Sequence, residues 1–244
     1  QAVFALMEDA IDSDSDVLIT GETGTGKELV ARAIHHNSSR GDKRLFVINC
    51  GAVPKEVLLN ELFGHRKGAF NGAVEDQMGL FEAAEGSTLI LDEIDDMPLD
   101  VQPSLLRGLM ERKIQRLGET ISRAVDMRAI AISNRVLTKL VETGRFREDL
   151  CVRLKAFEIH LPPFRERSED IPLLIAHFYE EACRQLPRVL AGFTPDALEM
   201  LSRYPWPGNV RELRSAIRRA CTLAEEGERI QTHHFPSQML TENS

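Results

Sequence analysis

The segment "VLITGETGTGKE", Val17–Glu28, constrains this chain more than any other. An apolar, β-branched run leads into a glycine-rich turn, and a helix-patterned stretch begins at Lys27. Gly21, Gly24, Gly26 and Lys27 have the phosphate-loop spacing G-x-x-x-x-G-K. Glycines let the backbone wrap closely enough for its N–H groups to face phosphate oxygens; the following helix adds the positive end of its dipole and the lysine a full charge. A chance glycine-rich turn is the alternative, and the strand–turn–helix context weighs against it. Glu22, Thr23 and Thr25 complete the loop. The residue after the lysine, usually a magnesium-ligating Ser or Thr, is Glu28. Magnesium must then be held by another residue or through water.

Four more strand-length runs share the composition of the first, Asp16–Thr20: Leu45–Ile48, Thr88–Leu91, Arg128–Ile132 and Ala156–Leu161. Helix-patterned segments separate them, and that alternation predicts parallel pairing in an α/β layered fold. After "LPPFRER" the strands stop, and Ile171–Gln185, Pro195–Tyr204 and Asn209–Glu225 read as helices. Pro162, Pro163 and Pro172 punctuate the junction, so a boundary is expected near residue 165, with an α/β unit over 1–165 and a helical unit over 166–244.

The 244 residues are 43% hydrophobic and 28% charged, ordinary for a globular protein, and contain neither a membrane-length apolar run nor a signal-peptide pattern. Cys50, Cys151, Cys183 and Cys221 have no metal-ligand or redox spacing, which fits packed, reduced thiols in a cytoplasmic protein. A net charge of −8 argues against a chain that coats nucleic acid, and no helix-turn-helix stands out, so promoter DNA is expected to be reached only indirectly. Gln1 opens inside a helix-patterned run and Ser244 follows a loose polar tail, as in a piece of a longer protein.

"TLILDEI", Thr88–Ile94, is a buried-type strand ending in two acids. Asp92 can orient magnesium or its waters, and Glu93 can polarise a water towards a γ-phosphate. Phosphoryl transfer needs little more than positioning and charge neutralisation. Alone, the pair could be an acidic turn; with the phosphate loop it reads as a hydrolytic site.

The phosphate loop, "LILDEI", "AIAISN", "FREDLCVRL" and "WPGNVRELR" together resemble an AAA+ ATPase. "GETGTGKE" with "ELFGHRKGAFNGA" is similar to the central domain of bacterial enhancer-binding proteins, the NtrC-like activators of sigma-54 RNA polymerase, over roughly residues 1–236. The resemblance implies a five-stranded parallel sheet followed by a smaller α-helical lid. It implies ATP and Mg²⁺ as ligands, ATP hydrolysis as the reaction, and a homo-oligomeric ring of six or seven subunits. In this family Glu28 is the normal residue after the lysine. Asn134 matches the sensor of the γ-phosphate, and Asn49 the partner that holds the catalytic glutamate from water until the ring is engaged; a turn asparagine is the other reading of each. Arg147 and Arg153 match the fingers supplied to a neighbouring subunit, where such a charge is worth about 10³–10⁵ in rate. A salt bridge to Glu148 or Asp149 is the alternative for one of them. Arg211 matches the lid arginine that reaches its own subunit's nucleotide.

The same resemblance makes Gly68, Ala69, Phe70, Asn71, Gly72 and Ala73 a loop, inserted within a helix, whose aromatic contacts the sigma factor. Gly68 and Gly72 allow hinging, the alanines keep the tip narrow, and Phe70 is the aromatic anchor; burial against its own domain is the alternative. A second loop, within 112–126, has a hairpin tip at Gly118–Ser122 and moves with the first, which spans 64–75. Two departures bear on the partner. The family's "GAFTGA" threonine is Asn71, which tolerates left-handed backbone and loosens the loop. A usually acidic position is Arg66, followed by Lys67, which adds positive charge beside it. The expected function is a ring motor that remodels a closed promoter complex with sigma-54 and RNA polymerase. The rivals are the same ATPase on a different target, or a nucleotide-gated oligomerisation module with weak turnover.

Overall fold

The computed structural model describes residues 2–241. Gln1 and the terminal Ser244 lie outside the described residues. Strands form at β1 Val17–Thr20, β2 Phe46–Asn49, β3 Gly64–His65, β4 Gln77–Met78, β5 Ser87–Asp92, β6 Lys113–Ile114, β7 Arg123–Ala124, β8 Met127–Ser133 and β9 Glu158–His160. The helices are α1 Ala2–Asp12, α2 Lys27–Asn37, α3 Lys55–Phe63, α4 Leu80–Ala83, α5 Gln102–Glu111, α6 Leu137–Glu142, α7 Glu148–Leu154, α8 Ile171–Cys183, α9 Pro195–Arg203, α10 Asn209–Leu223 and α11 Gln238–Thr241. Each expected strand is present within a residue or two of its expected bounds, and α8 and α10 end two residues early.

Five strands make one parallel sheet in the order β2-β5-β8-β1-β9. The apolar runs of the central strands β1, β5 and β8 are continuous rather than alternating because both of their faces are covered, whereas the edge strands β2 and β9 are only partly buried. One face carries Leu18, Leu89, Leu91, Ala129 and Ala131, packed with Leu58, Leu62, Leu105 and Leu154 of α3, α5 and α7. The other carries Val17, Ile19, Ile90, Ile130 and Ile132, packed with Ala10, Ala31 and Ile34 of α1 and α2. The period-two alternation of side chains sorts these residues. β3–β4 and β6–β7 are separate two-stranded antiparallel ribbons.

The chain divides into two compact units, one of Gln1–Gly21 with Lys27–Leu161 and the other of Glu22–Gly26 with Pro162–Ser244. The second has its own core around Trp206, Phe164, Leu213 and Ile217. Among the described residues no helix is long and apolar enough to cross a membrane.

Candidate active site

The parallel sheet delivers its chemistry to the C-terminal ends of neighbouring strands. β1 runs into the phosphate loop, and α2 begins at Lys27. The Lys27 side chain is buried, and its Nζ donates to the Gly21 carbonyl at 2.8 Å. The middle of the loop is knitted to the second unit, of which it is part. Asn209 Nδ2 donates to Glu22 Oε2 at 3.1 Å and to the Thr23 carbonyl at 3.0 Å. Arg165 makes a two-point ion pair with Glu22 at 2.9 and 2.7 Å, and Arg167 Nη2 donates to the Thr25 carbonyl at 3.2 Å. The Arg211 N–H meets the Gly24 carbonyl at 3.3 Å. A Cβ on Gly24 would stand 2.4 Å from the Gly208 carbonyl oxygen, so that position accepts only glycine. Glu28 points outward and pairs with Arg32 at 2.7 Å.

β2 and β5 pair so that Asn49 lies opposite Asp92. The next residue, Glu93, adopts a left-handed backbone with φ 53°. That turn brings its carboxylate back to Asn49, whose Nδ2 donates to Glu93 Oε2 at 2.9 Å. Asn49 Oδ1 accepts the Gly51 and Ala52 N–H groups, both at 2.9 Å, which fixes the amide that holds Glu93. Asp92 Oδ1 accepts the Glu93 N–H at 2.9 Å. Burial raises the Asp92 pKa above the usual aspartate range, and the nearby Glu93 and Glu28 charges add to it. Asn134 follows β8, and its N–H donates to Asp95 Oδ1 at 3.1 Å. Lys27, Asn49, Asp92, Glu93 and Asn134 therefore all stand at or just past the C-terminal ends of strands in one sheet.

Of the two expected fingers, Arg147 stands at the N-cap of α7 and Arg153 in its last turn. Buried Gln102 fixes the start of that helix by accepting the Arg147 N–H at 2.8 Å while donating to the Met97 carbonyl at 3.0 Å. Arg147 forms a two-point pair with Asp149 at 3.0 and 2.7 Å, and both side chains are about half exposed. Arg153 instead reaches Asp16, at 2.6 Å. Arg147, Arg153, Met110 and Val152 help line an open cavity of about 680 Å³.

The "GAFNGA" segment lies between α3 and α4 and is framed by the β3–β4 ribbon. Gly68 and Gly72 have positive φ, 83° and 108°. The Gly68 N–H donates to the Ala73 carbonyl and the Ala73 N–H to the Phe70 carbonyl, closing the tip. Ala73 is buried, Ala69 half-buried and Asn71 exposed. Phe70 is 46% exposed, with its ring 4.9 Å from that of His65. Arg66 does not add unbalanced charge, because it pairs with Asp76 across the ribbon at 2.7 Å and lies 4.0 Å from Glu119. The second loop touches the first: Leu117 accepts the Arg66 N–H at 3.0 Å, and the Leu117 N–H donates to the Gly64 carbonyl at 2.9 Å.

Sequence reasoning missed Asp16, Asp95, Gln102, Arg165, Arg167 and Asn209. The second acid pair in "DEIDD" was the available signal for Asp95, and the arginines of "FRER" for the Glu22 and Thr25 contacts.

Residues 1–160 match the sigma-54 interaction domain family, and residues 165–244 the AAA+ ATPase lid domain. The DNA-binding transcriptional activator HyfR of Escherichia coli K12 is 54% identical over 211 residues, 86% of this chain and 32% of that protein. The formate hydrogenlyase transcriptional activator FhlA of the same organism is 50% identical over 91% of this chain and 32% of its own length. The transcriptional regulatory protein ZraR of Salmonella typhimurium is 48% identical over 92% of this chain and 51% of its own. The chain thus spans about a third to a half of these relatives. The crystal structure of NtrX from Brucella abortus in complex with ADP has a TM-score of 0.87 at 34% identity, over 98% of this chain and 53% of that one. The same protein in complex with ATP scores 0.87 at 33% identity over 100% and 56%.

Proposed function

Since this chain belongs to the sigma-54 interaction domain family and carries an AAA+ ATPase lid domain, we propose that it is an ATP-hydrolysing ring motor that engages sigma-54 RNA polymerase through its Phe70 loop. The observation that carries the ATPase reading is the Asn49–Glu93 hydrogen bond of 2.9 Å beside Asp92. A carboxylate suited to polarising water is present and held by a neutral amide. In this reading the loop Gly21–Lys27 wraps the phosphates, with Lys27 exchanging the Gly21 carbonyl for phosphate oxygen and Arg211 adding a cation at Gly24. Asn134 reports the γ-phosphate, and Glu93 orients water once Asn49 releases it.

The donor set suits a hard divalent cation. Asp92 Oδ1 is taken by the Glu93 N–H, which leaves Oδ2, and a cation would favour the ionised form that burial disfavours. Magnesium, when bound with ATP, neutralises phosphate charge, and Asp92 is the residue that would hold it. Glu28, paired outward with Arg32, is not its ligand. Arg147 and Arg153 supply transition-state charge to a neighbouring subunit, which makes assembly into a homo-oligomeric ring a requirement of turnover; six or seven members is the family's size. Phe70 is the anchor for sigma-54, because half of the ring is exposed on a loop closed by small residues.

The test is co-migration of the chain with purified sigma-54 on gel filtration, with ADP and a metal-fluoride phosphate mimic present. Phe70→Ala and Asn71→Thr chains run in parallel, and ATP turnover is measured on the unaltered chain and on Glu93→Gln. Turnover lost in Glu93→Gln, with sigma-54 carried by the unaltered chain and not by Phe70→Ala, supports the reading. A ring that hydrolyses ATP but leaves sigma-54 behind unless Asn71 is Thr assigns the motor to a different target.

A further inference from the structure

Asp16, immediately before β1, is a carboxylate in an unusual place. Its side chain is only 3% exposed, and three donors converge on it. Oδ1 accepts the Ala129 N–H of the central strand β8 at 2.8 Å. Oδ2 accepts from Arg112 Nη2 at 3.0 Å and from Arg153 Nη2 at 2.6 Å. An ionised carboxylate is costly to bury, and it is tolerated here because both oxygens are satisfied by charge-assisted or backbone bonds. Asp16 also stands at the opposite end of β1 from the phosphate loop, roughly 16 Å from Gly21 at about 3.3 Å per residue. It therefore has no direct part in its own subunit's phosphate site.

What it holds is a proposed finger. The hydrogen bonds of Arg153 run through Nη2 alone, to Asp16 and, at 3.5 Å, to the Leu109 carbonyl. Nε and Nη1 have no partner among the described residues, and the side chain, 29% exposed, borders the open cavity shared with Arg147. A long side chain pinned at one nitrogen to a rigid buried oxygen has lost its rotamer freedom in advance and keeps a fork of donors for an anion. Resting on the finger reading above, we propose that Asp16 is a positioning residue for Arg153. It sets the guanidinium for a neighbour's nucleotide and, through the same oxygen, ties α7 to Arg112 at the foot of the second loop.

The experiment is steady-state ATP turnover of assembled Asp16→Asn, alone and mixed with Lys27→Ala subunits, which lack a working phosphate loop but keep their finger. Misplacement of a catalytic group by about an ångström costs on the order of 10²-fold. The expected result is a kcat roughly 10- to 100-fold lower with KM for ATP within about threefold of the unaltered chain. Turnover in the mixture should exceed that of either component, since Lys27→Ala subunits lend an ordered finger to the intact phosphate loops of Asp16→Asn. Adding Asp16→Asn to Arg153→Ala should cost nothing further, because both act through one guanidinium. Unchanged kcat, a loss that mixing does not repair, or losses that multiply in the double variant would each overturn the inference. Asp16→Glu keeps the charge and moves it by one methylene; it replaces Asp16→Asn in every arm if the latter gives no cooperative melt, with the same expectations. No turnover from the unaltered chain at any protein concentration would sink the ATPase reading and this inference with it. Turnover there with Asp16→Asn unaffected sinks the inference alone.

Discussion

Gly118→Ala should undock the two surface loops from each other. Gly118 has φ 75° and sits third in a turn whose ends are joined by the Glu119 N–H and the Arg116 carbonyl at 3.0 Å, the arrangement of a type II turn. An L-side chain there costs about 1–2 kcal/mol. The added Cβ would also meet Ala69 Cβ at 2.8 Å and Ala69 Cα at 3.1 Å. Relief requires the turn to retreat from the first loop, but the Arg66–Leu117 and Leu117–Gly64 backbone bonds hold it in place. Those bonds oppose the retreat equally in both chains, so the difference between the chains is the added strain alone: the dihedral cost plus about 1–3 kcal/mol for the overlap. A total of about 2–5 kcal/mol against the docked arrangement is a shift of roughly 30-fold to a few thousandfold towards the undocked one. Hydrogen exchange at the Arg66 and Leu117 amides reads that shift directly, and both should speed up by this factor while core amides of β5 and β8 do not. Ala69→Gly on top of Gly118→Ala removes the clash but not the dihedral cost, so about half of the effect should return. Exchange at both amides within about threefold of the unaltered chain would refute the argument, because it would mean that the loops meet without depending on this turn.

Three further outcomes concern the candidate active site and its proposed finger. Asn49→Ala releases Glu93 from a hydrogen bond to a charged group, worth at most ~1.5–3 kcal/mol and less at a half-buried site, so basal ATP turnover should rise by up to about tenfold; a fall in turnover would make Asn49 a support for Glu93 instead of a restraint. Arg147→Ala should lower turnover by ~10³–10⁵-fold with nucleotide affinity kept and the melting temperature unchanged, since its pair with Asp149 is exposed; calorimetry and a turnover assay separate the two. Burial raises the Asp92 pKa, so folding favours its protonated form, and the cost of ionising it is absent in acid, grows as pH rises through the ordinary aspartate range and is complete above the raised value. Without nucleotide, Asp92→Asn should therefore raise the melting temperature at pH 7, by an amount that shrinks as the pH is lowered; a gain that is constant with pH would show that the charge is not its source.

The sheet was legible because its central strands β1, β5 and β8 are buried on both faces. "LILD" and "AIAIS", like "VLIT" before them, are short apolar runs of strand length bounded by polar residues. The phosphate loop and the Asp92–Glu93 pair were legible because each is a contiguous segment whose chemistry needs only its neighbours. What the sequence concealed are pairings between distant residues. Charge spacing offered Glu148 or Asp149 as the partner of a finger arginine, and Arg147 does take Asp149; Arg153 takes Asp16, which lies 137 residues away. Glu22 is bonded by Arg165 and Asn209, 143 and 187 residues on. Arg66 looked like added surface charge because Asp76 comes opposite it only after the ribbon folds back. A linear pattern records which residues carry charge, whereas the crossover connections of a parallel sheet decide which of them meet.

The exposed phenylalanine follows from the size of its loop. Between Gly68 and Ala73 the backbone closes on itself through two hydrogen bonds, and the surrounding residues are glycine, alanine and asparagine. Nothing there is large enough to cover an aromatic ring. The ring lies against the His65 imidazole, whose Nδ1 is 2.5 Å from Asn60 Oδ1 in the last turn of α3. Phe70 therefore has one side settled against a fixed ring and the other in water. A partner that covers the second side meets a side chain whose rotamer freedom is already reduced, so less entropy is lost on binding than for an aromatic on a free loop. Asn71 is exposed and its side chain makes no hydrogen bond among the described residues, so a change there would reach a bound partner without disturbing the Phe70–His65 pair. If the loop is the proposed contact, its strength and its specificity would in this way be carried by different residues.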